Sequence, residues 1–413
     1  MERVGVNRLH TSIRTVAPEQ TLALAKSWAR AARIRAVSDI THLDCLGVPV
    51  FVSERDGALS DGFTFGKGLA AIESEIGAHM EAIEFHFAEP GTAELETKWG
   101  TPRDLSAAPD AAFEFAPMLN RRPAPDQRLL LARVHDVETG EPAWIPAELV
   151  FHPAPCDVGA EFYGASTNGL ASGNSIEEAS LHALFELIER DIWSIEFVRN
   201  ASLRVAERGL PPQIRDIAHT AARNGLRLVV RTVPNDFGMP FFAAFLFDPA
   251  RPEQRFFNGG WGCHLDRRIA LMRAVTEAAQ SRAAYLHGRR AGPQWDGPGE
   301  EAQGVRAQME VVSREHPSIP FDEIPEPECA SAIAAQWAQG VACLRRVVDR
   351  PIYRVVYTPA EGPLHVVRLV VPLLENFSKS TMRVGPRMQA ALEADADADV
   401  SSPLVGEDAK SYA

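Results

Sequence analysis

Three long segments of this chain share one periodicity and one oddity. Apolar residues recur at three- and four-residue spacing, and the opposite face of each helix so implied collects acid. In GNSIEEASLHALFELIERD (173–191) and the residues that follow, take about 100° per residue. Glu178, His182, Glu189, Arg190 and Trp193 then fall within roughly 80° of Glu186. Leu184, Leu187, Ile188, Ile192 and Ile195 fill the opposite arc. Ser175 with Glu178 three residues on predicts a capping box at the helix start. Taken alone, this helix needs nothing more than a solvated face with a Glu186–Arg190 pair worth about 0.3–0.5 kcal/mol.

The other two segments make that account insufficient. On 70–88, Glu81 and Glu84 share a face with Gly77 and Ala88, while Ile76, Met80, Ile83 and Phe87 form the apolar stripe. Small residues beside two carboxylates leave room for a ligand or a neighbouring helix. On 267–287, with Asp266 as the expected N-cap, Arg273, Glu277 and Gln280 share a face with Ser281 and Ala284. Arg282 points about 140° away from Glu277 and needs a different approach to join them. Upstream of the first helix, the Gly-rich turn expected at FTFGKG carries Gly66-Lys67-Gly68. Such a turn can offer backbone N–H groups and an ammonium to phosphates, although it is not a Walker A loop. Mg²⁺ takes carboxylate oxygens together with phosphates and water. Acids that would otherwise repel are therefore explained by a metal–nucleotide site without a P-loop or a dinucleotide fingerprint.

The remaining segments read as mixed α/β. Pro18 opens a helix (PEQTLALAKSWARAARI), and GVPVFVSE, LLLARVHDV, LRLVVRTVP, MPFFAAFLFD, YRVVYT and LHVVRLVV read as strands. Residues 89–125 look like a loose excursion, and 290–330 like a Pro- and Gly-rich linker around a short helix. The ending EADADADVSSPLVGEDAKSYA is polar and acidic and is expected to be disordered, giving a folded unit over 1–390 and a tail over 391–413. The net charge of −13 argues against a broad nucleic-acid or anionic-membrane surface. Five scattered cysteines without a C-x-x-C pair fit reduced thiols, and Cys263 reads as a buried small hydrophobe. No apolar run approaches the ~20 residues of a membrane span, and the N-terminus lacks the apolar core of a signal peptide. The expectation is a soluble, cytoplasmic protein.

Three motifs in order resemble the YcaO family of ATP-dependent peptide-modifying enzymes, over roughly residues 10 to 390: FGKG and, eight residues on, GAHMEAIE; GASTNGLASGNSIEEASLHALFELIERD; and GGWGCHLDRRIALMRAVTEAAQSR. The resemblance implies mixed sheets and helices in pseudo-symmetric halves around an ATP cleft. It implies Glu81, Glu84, Glu186 and Glu189 as Mg²⁺ ligands. Arg14, Thr21, Lys67, Asn174, Glu178 and Arg190 become nucleotide or phosphate contacts, and Arg190, Glu277, Gln280 and Arg282 the catalytic set. Ala183 stands where many members carry serine, which leaves the charged core untouched.

In that family a nucleophile adds to a backbone amide of a peptide, and the former carbonyl oxygen is phosphorylated by ATP and expelled as phosphate. A Cys, Ser or Thr side chain gives an azoline, sulfide a thioamide, an amine an amidine. This chain ends in EDAKSYA and not in the P-x-P-x-P tail of azoline-forming members. GASTNGLASGN and TEAAQSR are most similar to members paired with a TfuA-type partner. The reading is therefore thioamidation of a ribosomally made peptide or protein, with a TfuA-like partner, a separate leader-peptide-binding protein and a homodimer expected. The alternatives are an azoline-forming cyclodehydratase, a non-catalytic peptide-binding scaffold of the same fold, and an unrelated ATP-dependent ligase or small-molecule kinase.

Overall fold

Strands that turn straight back into long helices set the architecture. The structure is a computed structural model that describes residues 7–105, 110–156, 158, 161–253, 256–291, 299–378 and 381–397. A hairpin of two short strands, β1 (Asn7–Arg8) and β2 (Ile13–Arg14), leads into α1 (Pro18–Trp28). Next, β3 (Ile34–Asp39), β4 (Val50–Arg55) and β5 (Phe63–Lys67) make an antiparallel sheet, and β5 runs into α2 (Ala71–Ala88). Strands β6 (Thr97–Gly100), β7 (Leu129–Asp136), β8 (Pro142–Pro146) and β9 (Leu170–Gly173) precede α3 (Ile176–Arg199). Then come β10 (Leu203–Ala206), α4 (Pro212–Arg223), β11 (Arg227–Thr232), β12 (Phe241–Phe247), β13 (Phe257–Cys263) and α5 (Arg267–Ala291). The chain continues through α6 (Gly299–Ser313), β14 (Ser318–Pro320), α7 (Ile333–Leu344), β15 (Tyr353–Val356), β16 (His365–Val370) and α8 (Pro386–Asp397). Two open sheets dominate, one in the order β13-β12-β11-β10-β14 and one in the order β6-β7-β15-β16-β9, with β8 paired to β7. Among the described residues no helix is long and apolar enough to cross a membrane.

β12 explains where the core sits. Its sequence FFAAFLF is apolar at every position, and both faces are buried. Phe241, Ala243 and Phe245 pack with Leu184, Leu187, Ile188 and Ile192 of α3, which also reaches Val367 and Leu369 of β16. Phe242, Ala244 and Leu246 pack with Ala270, Ala274, Val275 and Ala278 of α5 and Ile214 of α4. α3 is thus a central helix between two sheets. The solvated face that its sequence alone permits is absent: Glu178 and Glu189 are each only 2% exposed.

Glycine sets how closely helix and strand approach. A Cβ on Gly66 would lie 1.8 Å from Ser74 O, on Gly173 2.7 Å from Ala179 N, on Gly260 2.2 Å from Ala278 N and on Gly262 2.0 Å from Ala270 O. FTFGKG is therefore mostly strand and not a turn, since β5 takes in Phe63–Lys67. Gly77 sits against Gly66, so the small residue beside the α2 carboxylates makes room for β5, and it also lines the cavity that α2 borders.

The helix starts follow local chemistry. Asp266 accepts the Arg268 and Ile269 amides at the head of α5. Ser175 Oγ accepts the Glu178 amide, but the capping box is only half formed, because the Glu178 carboxylate is engaged elsewhere. Ser175→Ala should cost about 1 kcal/mol in a urea unfolding midpoint.

Other expectations fail for identifiable reasons. The helix expected within 290–330 is α6, 15 residues long and so longer than the short one expected, and the loose excursion after 89 contributes β6. α8 crosses the expected boundary at 390: Met388 and Ala391 are buried with Val198, and the helix runs to Asp397. Residues 398–413 of the expected tail lie outside the described residues.

Candidate active site

β13 lies at the edge of its sheet, so the polar sides of α3 and α5 meet beyond it, and α2 closes the third side. Their side chains line a cleft of about 460 Å³, within the usual range of small-molecule sites, about 300–1,000 Å³. Seven glutamates (73, 81, 84, 178, 186, 189 and 277) face four cations, Arg14, Lys67, Arg190 and Arg273.

One end of the cleft is fully hydrogen-bonded. Glu178 accepts from Arg14 Nη1 (3.0 Å), Thr15 N and Oγ1 (both 2.9 Å), and Asn174 N and Nδ2 (3.1 and 2.9 Å). Thr21 Oγ1 donates to Asn174 Oδ1 at 3.0 Å. Burial alone would raise the Glu178 carboxyl, but Arg14 and these donors outweigh it and hold it below the usual range. The hairpin that supplies Arg14 and Thr15 is tied down twice more. Glu73 accepts from His10 N and Thr11 Oγ1, and Asp266 pairs with Arg8. An acid at the N-terminal end of each of α2, α3 and α5 therefore grips one strap.

The other end is an acid cluster short of partners. Burial pushes Glu81 up to about 7, against the pull of the Phe65 amide, which donates to it at 2.7 Å, and of Lys67. Glu84 rises to about 8 through burial and the repulsion of Glu81 and Glu186, with the Ser172 hydroxyl as an opposing donor. Glu186 rises to about 7 through burial and the Glu189 charge, offset by Arg190. Among the described residues Glu186 has no hydrogen-bond or ion-pair partner. Glu189 accepts the Cys263 amide at 2.9 Å and is raised by burial and by Glu277. Glu277 goes the other way: burial is outweighed by its Lys67 ion pair and by Arg190, 4.0 Å away. The Arg190 guanidinium also lies 5.3 Å over the Trp261 ring.

The cleft thus gathers Arg14, Thr21, Lys67, Glu81, Glu84, Asn174, Glu178, Glu186, Glu189, Arg190, Glu277 and Gln280. Gln280 donates to Phe65 O at 2.7 Å and so braces β5. Arg282 is not among the lining residues; it is turned away into an ion pair with Asp44 at 2.9 Å. Arg273 and His182, 3.5 Å apart, are lining residues that the motifs alone left without a role. The signal was present in the sequence, since Arg273 lies four residues before Glu277. Cys263 is buried in the core, and burial pushes its thiol well up, as expected of a small hydrophobe.

Mg²⁺ fits this donor set. It binds through one or two carboxylates plus ligand phosphates, seldom in an all-protein cage. Among the described residues no three His, Cys, Asp or Glu side chains form such a cage, yet half-buried carboxylates line one end of the cleft, and Glu186 faces it without a hydrogen-bond partner among the described residues. A tetraanionic triphosphate could enter so acidic a cleft only with its cations.

Known proteins agree with the fold and the motifs. The YcaO family model, described as a cyclodehydratase that binds ATP and Mg²⁺, matches residues 65–375. An uncharacterized protein of Methanothermobacter thermautotrophicus is 30% identical over 396 residues, 91% of this chain and 99% of its own. An uncharacterized protein in the tfuA 3′ region of Rhizobium leguminosarum bv. trifolii is 29% identical over 93% of each chain. The YcaO protein of Methanopyrus kandleri, solved bound with AMPPCP and Mg²⁺, shares the fold with a TM-score of 0.74 at 22% identity, over 93% of this chain and 98% of that one. A heterocyclase in complex with substrate and cofactor reaches the same TM-score at 20% identity over 91% of this chain, which spans only 54% of the heterocyclase. By the extent of the family match and by its relatives, the chain belongs to the YcaO family.

Proposed function

We propose that the cleft binds Mg²⁺-ATP and uses it to activate a peptide backbone amide, installing a thioamide. The observation that carries the first half is the pile-up of half-buried carboxylates with raised titration around Glu186, which faces the cleft with no hydrogen-bond partner among the described residues. The similarity to a protein in a tfuA 3′ region supports the second half and a TfuA-like partner. A separate leader-peptide-binding protein and a homodimer belong to the same proposal.

When bound, Mg²⁺-ATP supplies the phosphoryl group that turns an amide oxygen into a leaving group. In balance, hydrosulfide adds to the carbonyl carbon, the oxygen takes the γ-phosphoryl group and ADP departs. The C–O bond then breaks, phosphate leaves with the electron pair, and C=S forms as a proton is lost. Glu81, Glu84, Glu186 and Glu189 would hold one or more Mg²⁺ ions, with one or two carboxylates to each ion and phosphate oxygens and water completing it. Arg190 and Arg273 would steady charge on the transferred group, and Lys67 would exchange Glu277 for a phosphate oxygen. Asn174, Thr21, Arg14 and Glu178 would form the rigid far wall against the nucleoside. Arg282 has no part in the cleft, because Asp44 holds it outside.

The test is incubation of the protein with ATP, Mg²⁺, sulfide, a TfuA-like protein and candidate peptides, read by mass spectrometry for exchange of oxygen for sulfur. ATP turnover without a peptide product would favour a small-molecule ligase or kinase. Absence of ATP binding would favour a scaffold.

The raised carboxyls add a pH signature. Metal ligation requires the deprotonated forms, and Glu81, Glu84 and Glu186 hold protons up to about 7, 8 and 7. Mg²⁺-nucleotide binding at neutral pH should release roughly one to two protons. The apparent affinity should rise with pH and level off above the Glu84 value. Calorimetry in two buffers of different ionisation enthalpy reads both.

A further inference from the structure

Two strand edges border the cleft, and only one of them is used up. β13 is the last strand of its sheet. His264 N donates to Pro240 O at the end of the β12–β13 ladder. Even-numbered residues of β13 therefore turn their backbone groups to β12, and odd-numbered ones turn theirs to the open side. Along that side Cys263 N donates to Glu189 at 2.9 Å, and Gly259 O accepts from Ser281 Oγ at 3.0 Å. Between them, the N–H and C=O of Trp261 have no partner among the described residues.

β5 supplies the comparison. Its outward N–H and C=O at Phe65 are both taken, by Glu81 and by Gln280, each at 2.7 Å. Gln280 and Ser281 are consecutive on α5, so α5 spans the space from the β5 edge to the β13 edge. Phe65, Ser281 and Ala284 line the cleft there, and Arg190 of α3 lies over the Trp261 ring. The β13 sequence FNGGWGC has neither charge nor proline, two devices that blunt an edge, and Gly259 and Trp261 are half-buried. Such an edge accepts an extended chain through main-chain bonds, whatever its side chains.

We propose that the open edge of β13 takes the substrate peptide as an added strand, its backbone bonded to the N–H and C=O of Trp261. The next amide of that strand is thereby carried onto Arg190 and the carboxylates. The proposal rests on the peptide-modifying reading of the cleft. It adds that recognition beside the reacting amide is of backbone, with the side chain opposite Trp261 lying against the indole.

The experiment titrates the full chain, labelled with ¹⁵N-tryptophan, with acetyl-Gly-Ala-Gly-Ala-Gly-amide to millimolar concentration, with and without Mg²⁺-ATP. The Trp261 backbone resonance is the one of seven that disappears in Trp261→Phe. It should shift with the peptide and exchange more slowly with solvent. The same peptide methylated at every backbone nitrogen has no N–H for the Trp261 C=O and should bind at least about tenfold more weakly. Anisotropy of a dye-labelled copy reads the variants. Trp261→Pro removes the edge N–H and leaves the ladder to β12; it should lose about tenfold, while Trp261→Phe keeps its affinity. Where a urea midpoint shows the proline variant unfolded, the methylated peptide decides. A Trp261 resonance unmoved at millimolar peptide, equal binding of the methylated peptide, or an equal loss in Trp261→Phe overturns the proposal, because water or the indole then accounts for the edge. Thioamide formed by a protein whose Trp261 ignores the peptide removes the edge and spares the reaction. Peptide seated on Trp261 without any thioamide keeps the edge and removes the thioamide.

Discussion

Glu186→Gln should bind Mg²⁺-ATP more weakly than the wild type by about a hundredfold or more, since the proposed metal role of Glu186 makes loss of its charge cost several kcal/mol. Calorimetric titration with and without Mg²⁺ measures it, and retention of wild-type affinity would remove Glu186 from the metal site. The same substitution should leave the fold intact and more stable. A glutamate titrates near 4.5 when unfolded and near 7 here, so the native state holds the extra proton in between. Its stability therefore falls as pH climbs through that window. The variant lacks that slope and should gain on the order of 1–3 kcal/mol at pH 8, where the shift is fully expressed. Lost binding together with gained stability distinguishes a functional carboxylate from a structural one.

Gly66→Ala and Gly260→Ala should each destabilise the protein by about 3 kcal/mol or more, the upper end of overpacking costs. The added methyl group would meet Ser74 O and Ala78 N in the first case, and Ala274 O and Ala278 N in the second. These are helix backbone atoms that no rotamer change can move. Relief requires α2 or α5 to lift off its strand, carrying Glu81 and Glu84, or Glu277, out of the cleft. Denaturant midpoints should fall, and nucleotide affinity should fall with them. A stable Gly66→Ala protein with normal binding would show that the close approach of β5 and α2 does not position the site.

The acidic helices were legible because their periodicity is long and their composition odd. Period alone, however, could not tell a solvated face from a cleft wall: Glu178 is covered by Arg14 and Thr15 and Glu189 by Cys263 of β13, all far away in the chain. Twelve of the thirteen expected site residues line the cleft, and the resemblance, not geometry, singled them out together. Arg282 shows the limit, because an Asp44 contact 238 residues away leaves no trace in helical spacing. Arg273 was on the right face and needed only its neighbours to gain a role. Helices α4 and α7 were given no reading from the sequence, and the full length of α6 was missed because the Pro- and Gly-rich residues before it read as linker. The apolar sides of these helices are short, and their helical state is decided by packing on the sheet.

The strap gripped by Glu73, Glu178 and Asp266 has a consequence for synthesis. Its contacts span 63, 163 and 258 residues. A ribosome therefore releases residues 7–16 early and completes their partners only after the head of α5 has emerged. At translation rates of about 5–20 residues per second, the strap waits on the order of ten seconds or more with its polar backbone in water. The cleft cannot close before α5 is made, and a nascent chain cannot retain nucleotide until most of it has emerged.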